Sequence, residues 1–199
     1  MPAAFPSLDV LSERLRQFSR AEPLEDIALA AVATIVRAGA DGPEVLFIER
    51  AVRDGDPWSG DVAFPGGKLD NIDVSLRATA MRETLEELGL ALPESAFVAR
   101  LDDVFGRTNG YRVAQFVFVV QGDVQLVSNA EVASFFWTPL ATLTRPELVE
   151  TITIQRMNFT FEVPCIRLGA HVLWGMTFRM TNALAEAMRF GERERESEP

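Results

Sequence analysis

The chain has 199 residues, 48% of them hydrophobic and 24% charged, which provides enough apolar material for the core of one domain. Its net charge of −10 argues against a protein that binds nucleic acid through the phosphate backbone, because such binding needs clustered lysines and arginines. No apolar run approaches the ~20 residues that span a bilayer, and the N-terminus lacks the basic flank and apolar core of a secretion signal. The expectation is a soluble cytoplasmic protein without a membrane or nucleic-acid partner.

The single cysteine and the single histidine restrict the chemistry that the chain can perform. Cys165 has no partner for an internal disulfide, which agrees with a reducing compartment, and its apolar neighbours are typical of a buried structural thiol. Any histidine metal site or nucleophile–histidine pair would depend on His171 alone. We interpret His171 as a structural or surface residue.

The first elements follow from hydrophobic spacing. Apolar residues recur at helical intervals from Leu8 to Phe18 and predict an amphipathic helix, which Pro23 would end. Residues 28–36 and 44–48 flank a glycine-rich turn and predict a β-hairpin. Residues 52–61 are polar and predict a loop, and Val62-Ala63-Phe64 predicts a short strand before a turn at Pro65-Gly66-Gly67.

The central helix is predicted from about Ser75 to Leu88, with Asp73 or Ser75 as its N-cap and Gly89 at its end. Strands are predicted at 97–104, 113–120, 132–137, 151–155 and 161–168, with a turn at Asn109-Gly110. A last amphipathic helix is predicted from about Met176 to Phe190. This order lacks regular βαβ alternation and indicates a mixed α/β fold.

The predicted organisation is one main domain with two additions. Residues 1–24 would form an N-terminal helical extension, residues 25–190 the main domain, and residues 191–199 a disordered tail with charges of both signs and no apolar side chain. The N-terminal helix and the C-terminal portion are the candidate surfaces for a homodimer.

Three glutamates of the central helix are the strongest candidates for chemistry. Glu83, Glu86 and Glu87 fall within about 100° on a helical wheel, beside the apolar stripe. A solvated acidic face would also show such a cluster, but this helix lacks the lysines that usually accompany one. Since like charges at this spacing repel, and since hard oxygens suit Mg²⁺ or Mn²⁺, a divalent metal site is the alternative.

The turn before the helix favours the metal interpretation. Gly66 and Gly67 leave the backbone open to close approach, so the Gly67 carbonyl could reach the same ion, although an ordinary tight turn would have the same sequence. Lys68 follows as a candidate phosphate contact, with a plain surface lysine as the alternative.

A longer motif combines these features. Residues 67–73 read Gly-Lys-Leu-Asp-Asn-Ile-Asp, and residues 82–90 read Arg-Glu-Thr-Leu-Glu-Glu-Leu-Gly-Leu. Together they resemble the Nudix box, in which a glycine, an early glutamate and an Arg-Glu-x-x-Glu-Glu-x-Gly segment, with an aliphatic residue after Arg-Glu, recur at fixed spacing. Three departures are one extra residue between Gly67 and Arg82, Asp73 at the place of the early glutamate, and Thr84 at an aliphatic position.

The resemblance implies an α/β/α sandwich around a mixed β-sheet and a pyrophosphate hydrolase that uses Mg²⁺ or Mn²⁺. The family's metal ligands correspond to the Gly67 carbonyl, Glu83, Glu86 and Glu87, and Arg82 would orient a glutamate. Glu131, just before a predicted strand, is a candidate further ligand or general base, with an exposed loop glutamate as the alternative.

The wider sequence resembles the coenzyme A pyrophosphatase branch of that family. The shared features are the longer box, Phe64-Pro65-Gly66-Gly67, the arginine segment Ile48-Glu49-Arg50-Ala51, and the segment 173–180 that resembles the branch's last helix. The branch expects an arginine near Gly55 and a glycine four residues later, whereas this chain has no arginine there and a loop longer by one residue, with Arg53 as a substitute.

The resemblance makes coenzyme A or an acyl derivative the leading substrate, cleaved to adenosine 3′,5′-bisphosphate and 4′-phosphopantetheine or its acyl form. The alternatives are a hydrolase of ADP-sugars, dinucleotides or dinucleoside polyphosphates, and a non-catalytic nucleotide-binding regulator with the same fold. The candidate phosphate-binding residues are Arg50, Arg53, Lys68, Arg107 and Arg112. The candidates for stacking on adenine are Trp58, Phe105 and Tyr111, for each of which ordinary packing is the alternative.

Overall fold

The structure is a computed structural model that describes residues 6–20, 28–56, 58–106, 111–156 and 159–196, with the backbone alone at residues 156, 159 and 189–196. Its α-helices are α1 (Leu8–Phe18), α2 (Leu76–Leu88), α3 (Leu140–Leu143) and α4 (Gly175–Glu196). Its strands are β1 (Ala30–Gly39), β2 (Gly42–Arg50), β3 (Val62–Ala63), β4 (Gly66–Lys68), β5 (Phe97–Arg100), β6 (Val104–Phe105), β7 (Arg112–Val119), β8 (Val132–Pro139), β9 (Val149–Arg156), β10 (Phe159–Leu168) and β11 (His171–Trp174).

The central helix α2 has the ends that the sequence predicted. The Ser75 hydroxyl accepts a hydrogen bond from the Ala78 N–H at 3.1 Å, so that Ser75 rather than Asp73 is the N-cap. Gly89 adopts a left-handed conformation with φ of 65° and its N–H donates to the Leu85 carbonyl, which ends the helix.

The main sheet is mixed. Its central path runs β3-β2-β1-β7-β5, and β4, β6 and β8 pair with β1, β7 and β2. The hairpin of β1 and β2 is antiparallel, as predicted, whereas β1 and β7 are parallel over the seven partners from Ala30↔Val113 to Val36↔Val119. This parallel pair at the centre places the end of β2 and the start of β4 and β7 near α2.

Helices cover both faces of this sheet. On one face, Leu76, Ala80 and Leu88 of α2 pack into one buried apolar cluster. On the other face, Leu11 and Leu15 of α1 share a second cluster with α4 and with part of the three-stranded sheet β9-β10-β11. The α/β/α sandwich around a mixed sheet is therefore confirmed.

Two strands were missed because they are short. Gly66–Lys68, predicted as a turn, forms β4 and pairs antiparallel with Ala30–Val32. Gly66 has φ of 153°, which lets the backbone turn into the sheet immediately after Pro65. His171–Trp174 forms β11 after a turn at Gly169, and four residues are too few to show a period.

The predicted strand 97–104 is interrupted: β5 and β6 both pair with β7, and residues 101–103 lie between them. The backbone of α4 continues to Glu196, beyond the predicted end at Phe190 and into the segment expected to be disordered. Glutamate and arginine are good helix formers, which explains the longer helix. Pro23 and the Asn109-Gly110 turn lie outside the described residues.

The side chains of Cys165 and His171 agree with structural roles. Cys165 is fully buried, and the His171 ring stacks on Phe136 with 4.1 Å between ring centroids. Among the described residues, no helix is long and apolar enough to cross a membrane.

Candidate active site

The side chain of Arg82 organises the acidic face of α2. Its Nη1 atom donates to Glu83 Oε1 at 2.9 Å and to Glu86 Oε2 at 3.1 Å. The two carboxylates are therefore held within reach of one nitrogen, although the Glu83 side chain is only 16% exposed and that of Glu86 is 54% exposed. These hydrogen bonds are charge-assisted, and the role of Arg82 in orienting a glutamate stays a prediction.

Asp73 holds the other side of the Arg82 guanidinium. Arg82 Nε and Nη2 donate to the two Asp73 carboxylate oxygens, both at 2.9 Å, and Nη2 also donates to the Lys68 carbonyl at 3.3 Å. The hydroxyl of Thr79 donates to the same carboxylate at 2.9 Å. Asp73 stands at the position of the family's early glutamate, and here its carboxylate is used to fix Arg82.

Glu87 is the buried member of the acidic cluster. It is 3% exposed, and its Oε2 accepts a hydrogen bond from the Gly66 N–H at 2.9 Å. Burial raises the pKa of Glu87 to about 8, although the Gly66 N–H partly opposes the shift. A buried carboxylate with a single hydrogen bond is costly to ionise without a nearby cation, which makes this position suited to cation binding.

Gly67 lies directly against Glu83. A Cβ atom on Gly67 would overlap the Glu83 carboxylate, so that only glycine leaves room for this approach. Burial raises the pKa of Glu83, and the hydrogen bond from Arg82 lowers it in part. The Gly67 backbone and two acidic side chains thus meet between β4 and α2.

The donor set fits a hard divalent cation by its chemistry. It consists of carboxylate oxygens of Glu83, Glu86 and Glu87 beside a glycine backbone, the ligand types that Mg²⁺ and Mn²⁺ prefer. In the described part of the chain, no three acidic, histidine or cysteine side chains stand close enough to enclose an ion. The three carboxylates are directed to different donors: Glu83 and Glu86 accept hydrogen bonds from Arg82, whereas Glu87 accepts one from the Gly66 N–H.

Glu131 is close enough to influence this cluster. Its negative charge contributes to the raised pKa of both Glu83 and Glu87. Its side chain pairs with Arg53, whose Nη1 lies 3.1 Å from Glu131 Oε1, and its carbonyl accepts the Ala51 N–H at 2.8 Å. Glu131 and Arg53 are both about half exposed, so this ion pair opens at little cost.

Arg50 reaches the same region from the end of β2. Burial raises the pKa of Glu87, and the positive charge of Arg50 partly opposes that shift. The Nη2 atom of Arg50 donates to Asp56 Oδ2 at 2.8 Å. Among the described residues, the buried Nε atom of Arg50 has no hydrogen-bond partner. The pairing with Asp56 was not foreseen, because the sequence of a polar loop does not indicate which aspartate folds back.

The remaining candidate phosphate ligands are Lys68, Arg112 and Arg107. The Nζ atom of exposed Lys68 lies 5.4 Å from the centre of the Tyr111 ring. Arg112 donates to the buried Asp103 carboxylate at 2.6 Å and stacks over Phe105, so its guanidinium is already engaged. Arg107 lies outside the described residues.

Two of the three candidate stacking residues have substantial open surface: Trp58 is 40% exposed and Phe105 is 53% exposed.

Asp103 is a residue that the sequence did not single out. It is 4% exposed and accepts hydrogen bonds from both Arg100 and Arg112, which fixes the start of β7.

Comparison with known proteins agrees with this geometry. A family model described as the NUDIX domain matches residues 28–155. The human protein named mitochondrial coenzyme A diphosphatase NUDT8 is 34% identical over 142 residues, covering 70% of this chain and 60% of that protein. The Citrobacter koseri protein named uncharacterized Nudix hydrolase NudL is 31% identical over 172 residues, covering 86% of this chain and 88% of that protein.

Two further comparisons show how much of each chain the similarity covers. An uncharacterized Schizosaccharomyces pombe protein is 40% identical over 121 residues, but the match spans only 37% of its length and 57% of this chain. The crystal structure of a MutT/nudix family protein from Enterococcus faecalis superposes with a TM-score of 0.52 at 19% identity, covering 96% of this chain and 70% of that one, which shows the fold. Because the family model matches residues 28–155, more than half of the chain, the chain belongs to the Nudix family.

Proposed function

We propose that this chain hydrolyses the pyrophosphate bond of coenzyme A or an acyl derivative, giving adenosine 3′,5′-bisphosphate and 4′-phosphopantetheine or its acyl form. The observation that carries the reaction is the acidic cluster of α2, in which Arg82 binds the Glu83 and Glu86 carboxylates, Glu83 lies against Gly67, and Glu87 is buried. The substrate is supported by the 34% identity to a protein named as a coenzyme A diphosphatase.

Enzymes of this family generally use divalent metal ions. Here Glu83, Glu86, Glu87 and the Gly67 carbonyl would hold Mg²⁺ or Mn²⁺, which supplies Lewis acidity and lowers the pKa of a bound water. Cations would also offset the repulsion between an anionic substrate and a chain with a net charge of −10.

The side chains of the chain itself bind the substrate and orient the carboxylates of the acidic cluster. Arg82, held by Asp73, keeps the Glu83 carboxylate facing Gly67. Glu131 can take a proton from the attacking water once its contact with Arg53 opens, a contribution of ~10²–10⁴-fold for a positioned base. Arg53 and Arg50 then face the diphosphate oxygens, which suit guanidinium donors.

The first test is product analysis with purified protein and Mg²⁺ or Mn²⁺ on a panel of nucleoside diphosphate derivatives. We expect coenzyme A to yield adenosine 3′,5′-bisphosphate and 4′-phosphopantetheine. Turnover only of an ADP-sugar, dinucleotide or dinucleoside polyphosphate would reject the coenzyme A assignment. Tight binding of a panel member without any turnover would favour the non-catalytic regulator.

The second test concerns the acidic cluster. Glu87→Gln keeps the size of the buried side chain and removes its charge, so we expect kcat to fall at least ~100-fold, as metal sites lose activity when their coordination is disturbed. Glu94→Gln is the matched control, because Glu94 is exposed and its carboxylate lies 3.5 Å from the Arg77 guanidinium, in a surface ion pair. Unchanged kcat in Glu87→Gln would show that the metal mechanism is wrong.

A further inference from the structure

One segment of the chain contacts both sides of the candidate site although it lies outside the family match at residues 28–155. It runs from Trp174, the last residue of β11, to Arg179 in the second turn of α4. Gly175 between them has φ of 66°, which makes the sharp change from strand to helix. We call residues 174–179 the β11–α4 junction.

Three polar side chains of the junction donate hydrogen bonds to two segments that flank the site. Trp174 Nε1 donates to Asp61 Oδ1 at 3.2 Å, and the Thr177 hydroxyl donates to the Val62 carbonyl at 2.9 Å. Arg179 Nη1 donates to the Phe105 carbonyl at 2.6 Å. The first two contacts fix the end of the 51–61 loop, and the third fixes β6.

The contacts at Asp61 continue to the candidate substrate residues. The Asp61 carbonyl accepts the Arg50 N–H at 3.1 Å, and the Arg50 carbonyl accepts the Gly60 N–H at 3.0 Å. The next residue, Ala51, donates its N–H to the Glu131 carbonyl at 2.8 Å. The junction is therefore linked by consecutive hydrogen bonds to the backbone that carries Arg50 and Glu131.

The contact at Val62 acts on the same strand pair. Val62 pairs with Glu49 in β3 and β2, one residue before Arg50. The metal-site strand β4 is held separately, by its pairing with β1 and by the Pro65 carbonyl, which accepts the Ala33 N–H at 2.8 Å. Loss of a junction contact should therefore loosen the substrate loop more than the acidic cluster.

We propose that Trp174, Thr177 and Arg179 are positioning residues that fix the two segments facing the substrate and so set its affinity. The proposal deepens the proposed function and rests on it, since it takes Arg50 and Arg53 as substrate ligands. The hydrogen bonds described above join the junction to the 51–61 loop and to β6, so we expect its effect in KM.

Thr177→Val and Thr181→Val form a matched pair for the test. Both replace a hydroxyl by a methyl on the same helix, but the Thr181 hydroxyl donates to the Thr177 carbonyl, within α4 itself, at 2.8 Å. We expect Thr177→Val to raise KM about 2- to 12-fold, the range for one lost hydrogen bond, with kcat within about twofold. Thr181→Val should leave KM unchanged, and Thr177→Ser should restore it.

The kinetic comparison uses whichever panel substrate the wild-type protein cleaves. A second readout needs no activity: hydrogen–deuterium exchange of peptides covering Arg50 and residues 58–62. We expect faster exchange there in Thr177→Val than in Thr181→Val or the wild type. Equal KM and equal exchange in the two valine variants would overturn the proposal. Absence of turnover in the wild type would reject the proposed function, and the exchange result would then decide the junction's role alone.

Discussion

At the scale of single residues, Asp73 shows how one buried carboxylate can support a site without entering it. Its side chain is 4% exposed, and it accepts two hydrogen bonds from Arg82 and one from the Thr79 hydroxyl. The hydrogen bonds from Arg82 are the main reason that the pKa of Asp73 lies well below its usual range, since burial alone would raise it.

Asp73→Asn should therefore weaken both the fold and the activity. We expect the free energy of unfolding at pH 7 to fall by about 1.5–3 kcal/mol, the range for hydrogen bonds to charged groups, and kcat to fall because Arg82 is less firmly oriented. Because the folded-state pKa is depressed, the stabilisation is present above the unfolded pKa of about 3.9 and is lost as the pH falls below it.

Urea unfolding of both proteins at pH 7 and at about pH 3 measures this difference. Asp70→Asn is the control, because Asp70 is exposed and its side chain accepts a hydrogen bond from the neighbouring Ile72 N–H rather than from an arginine. A stability difference that stays the same at both pH values would contradict the ion-pair explanation.

The sequence located the core of the candidate site because its members are close along the chain. Glu83, Glu86 and Arg82 share one helix, and helical geometry alone brings them together. The partner of Arg112 could not be read in the same way, because Asp103 meets it only when β6 pairs with β7. The role of Asp73 also depended on the path of the loop after Lys68.

At the scale of elements, the contact between β4 and α2 determines where the glycines matter. A Cβ on Gly66 would collide with the Ala31 carbonyl, which is backbone and cannot move aside, and φ at Gly66 is 153°. A Cβ on Gly67 would meet only the end of the Glu83 side chain, which can rotate. Glycine at position 66 is therefore needed for the backbone to fit, and glycine at position 67 is needed for the close approach of the Glu83 carboxylate.

Gly66→Ala and Gly67→Ala should separate stability from activity. We expect Gly66→Ala to lower the free energy of unfolding by at least ~1–3 kcal/mol, the cost of strain at such a position. Gly67→Ala should stay within about 1 kcal/mol of the wild type but reduce kcat at least ~10-fold, because Glu83 is displaced. Chemical denaturation and steady-state kinetics test both, and the reverse ranking would contradict this account.

Elements with local signals were predictable, and those defined by distant pairing were not. Helix α2 has an N-cap serine, an apolar stripe and a terminal glycine within fifteen residues, and the hairpin of β1 and β2 has a short turn. The parallel pairing of β1 with β7 leaves no local trace, because the intervening chain forms other elements. Strand β4 was missed because its three residues are too few to show a period.

At the scale of the whole molecule, the N-terminal helix is part of the core of its own chain. Leu11 and Leu15 of α1 are fully buried, and Arg14 Nη1 donates to the Met188 carbonyl of α4 at 3.1 Å. The apolar stripe of α1 is thus covered by α4 and the sheet of the same chain. That the N-terminal helix or the C-terminal portion forms a homodimer surface stays a prediction.

Leu15→Ala should accordingly destabilise the protein without altering catalysis. Removing a fully buried leucine side chain costs about 2–5 kcal/mol, and the residue lies on the face of the sheet opposite to α2, so we expect kcat and KM to stay within about twofold. Val10→Ala is the matched control on the same helix, because Val10 is 40% exposed and should cost less than ~0.5 kcal/mol. Urea unfolding and sedimentation velocity measure the stability and the mass of each variant. A small loss of stability in Leu15→Ala, together with a smaller oligomer than the wild type, would show that α1 packs between chains instead.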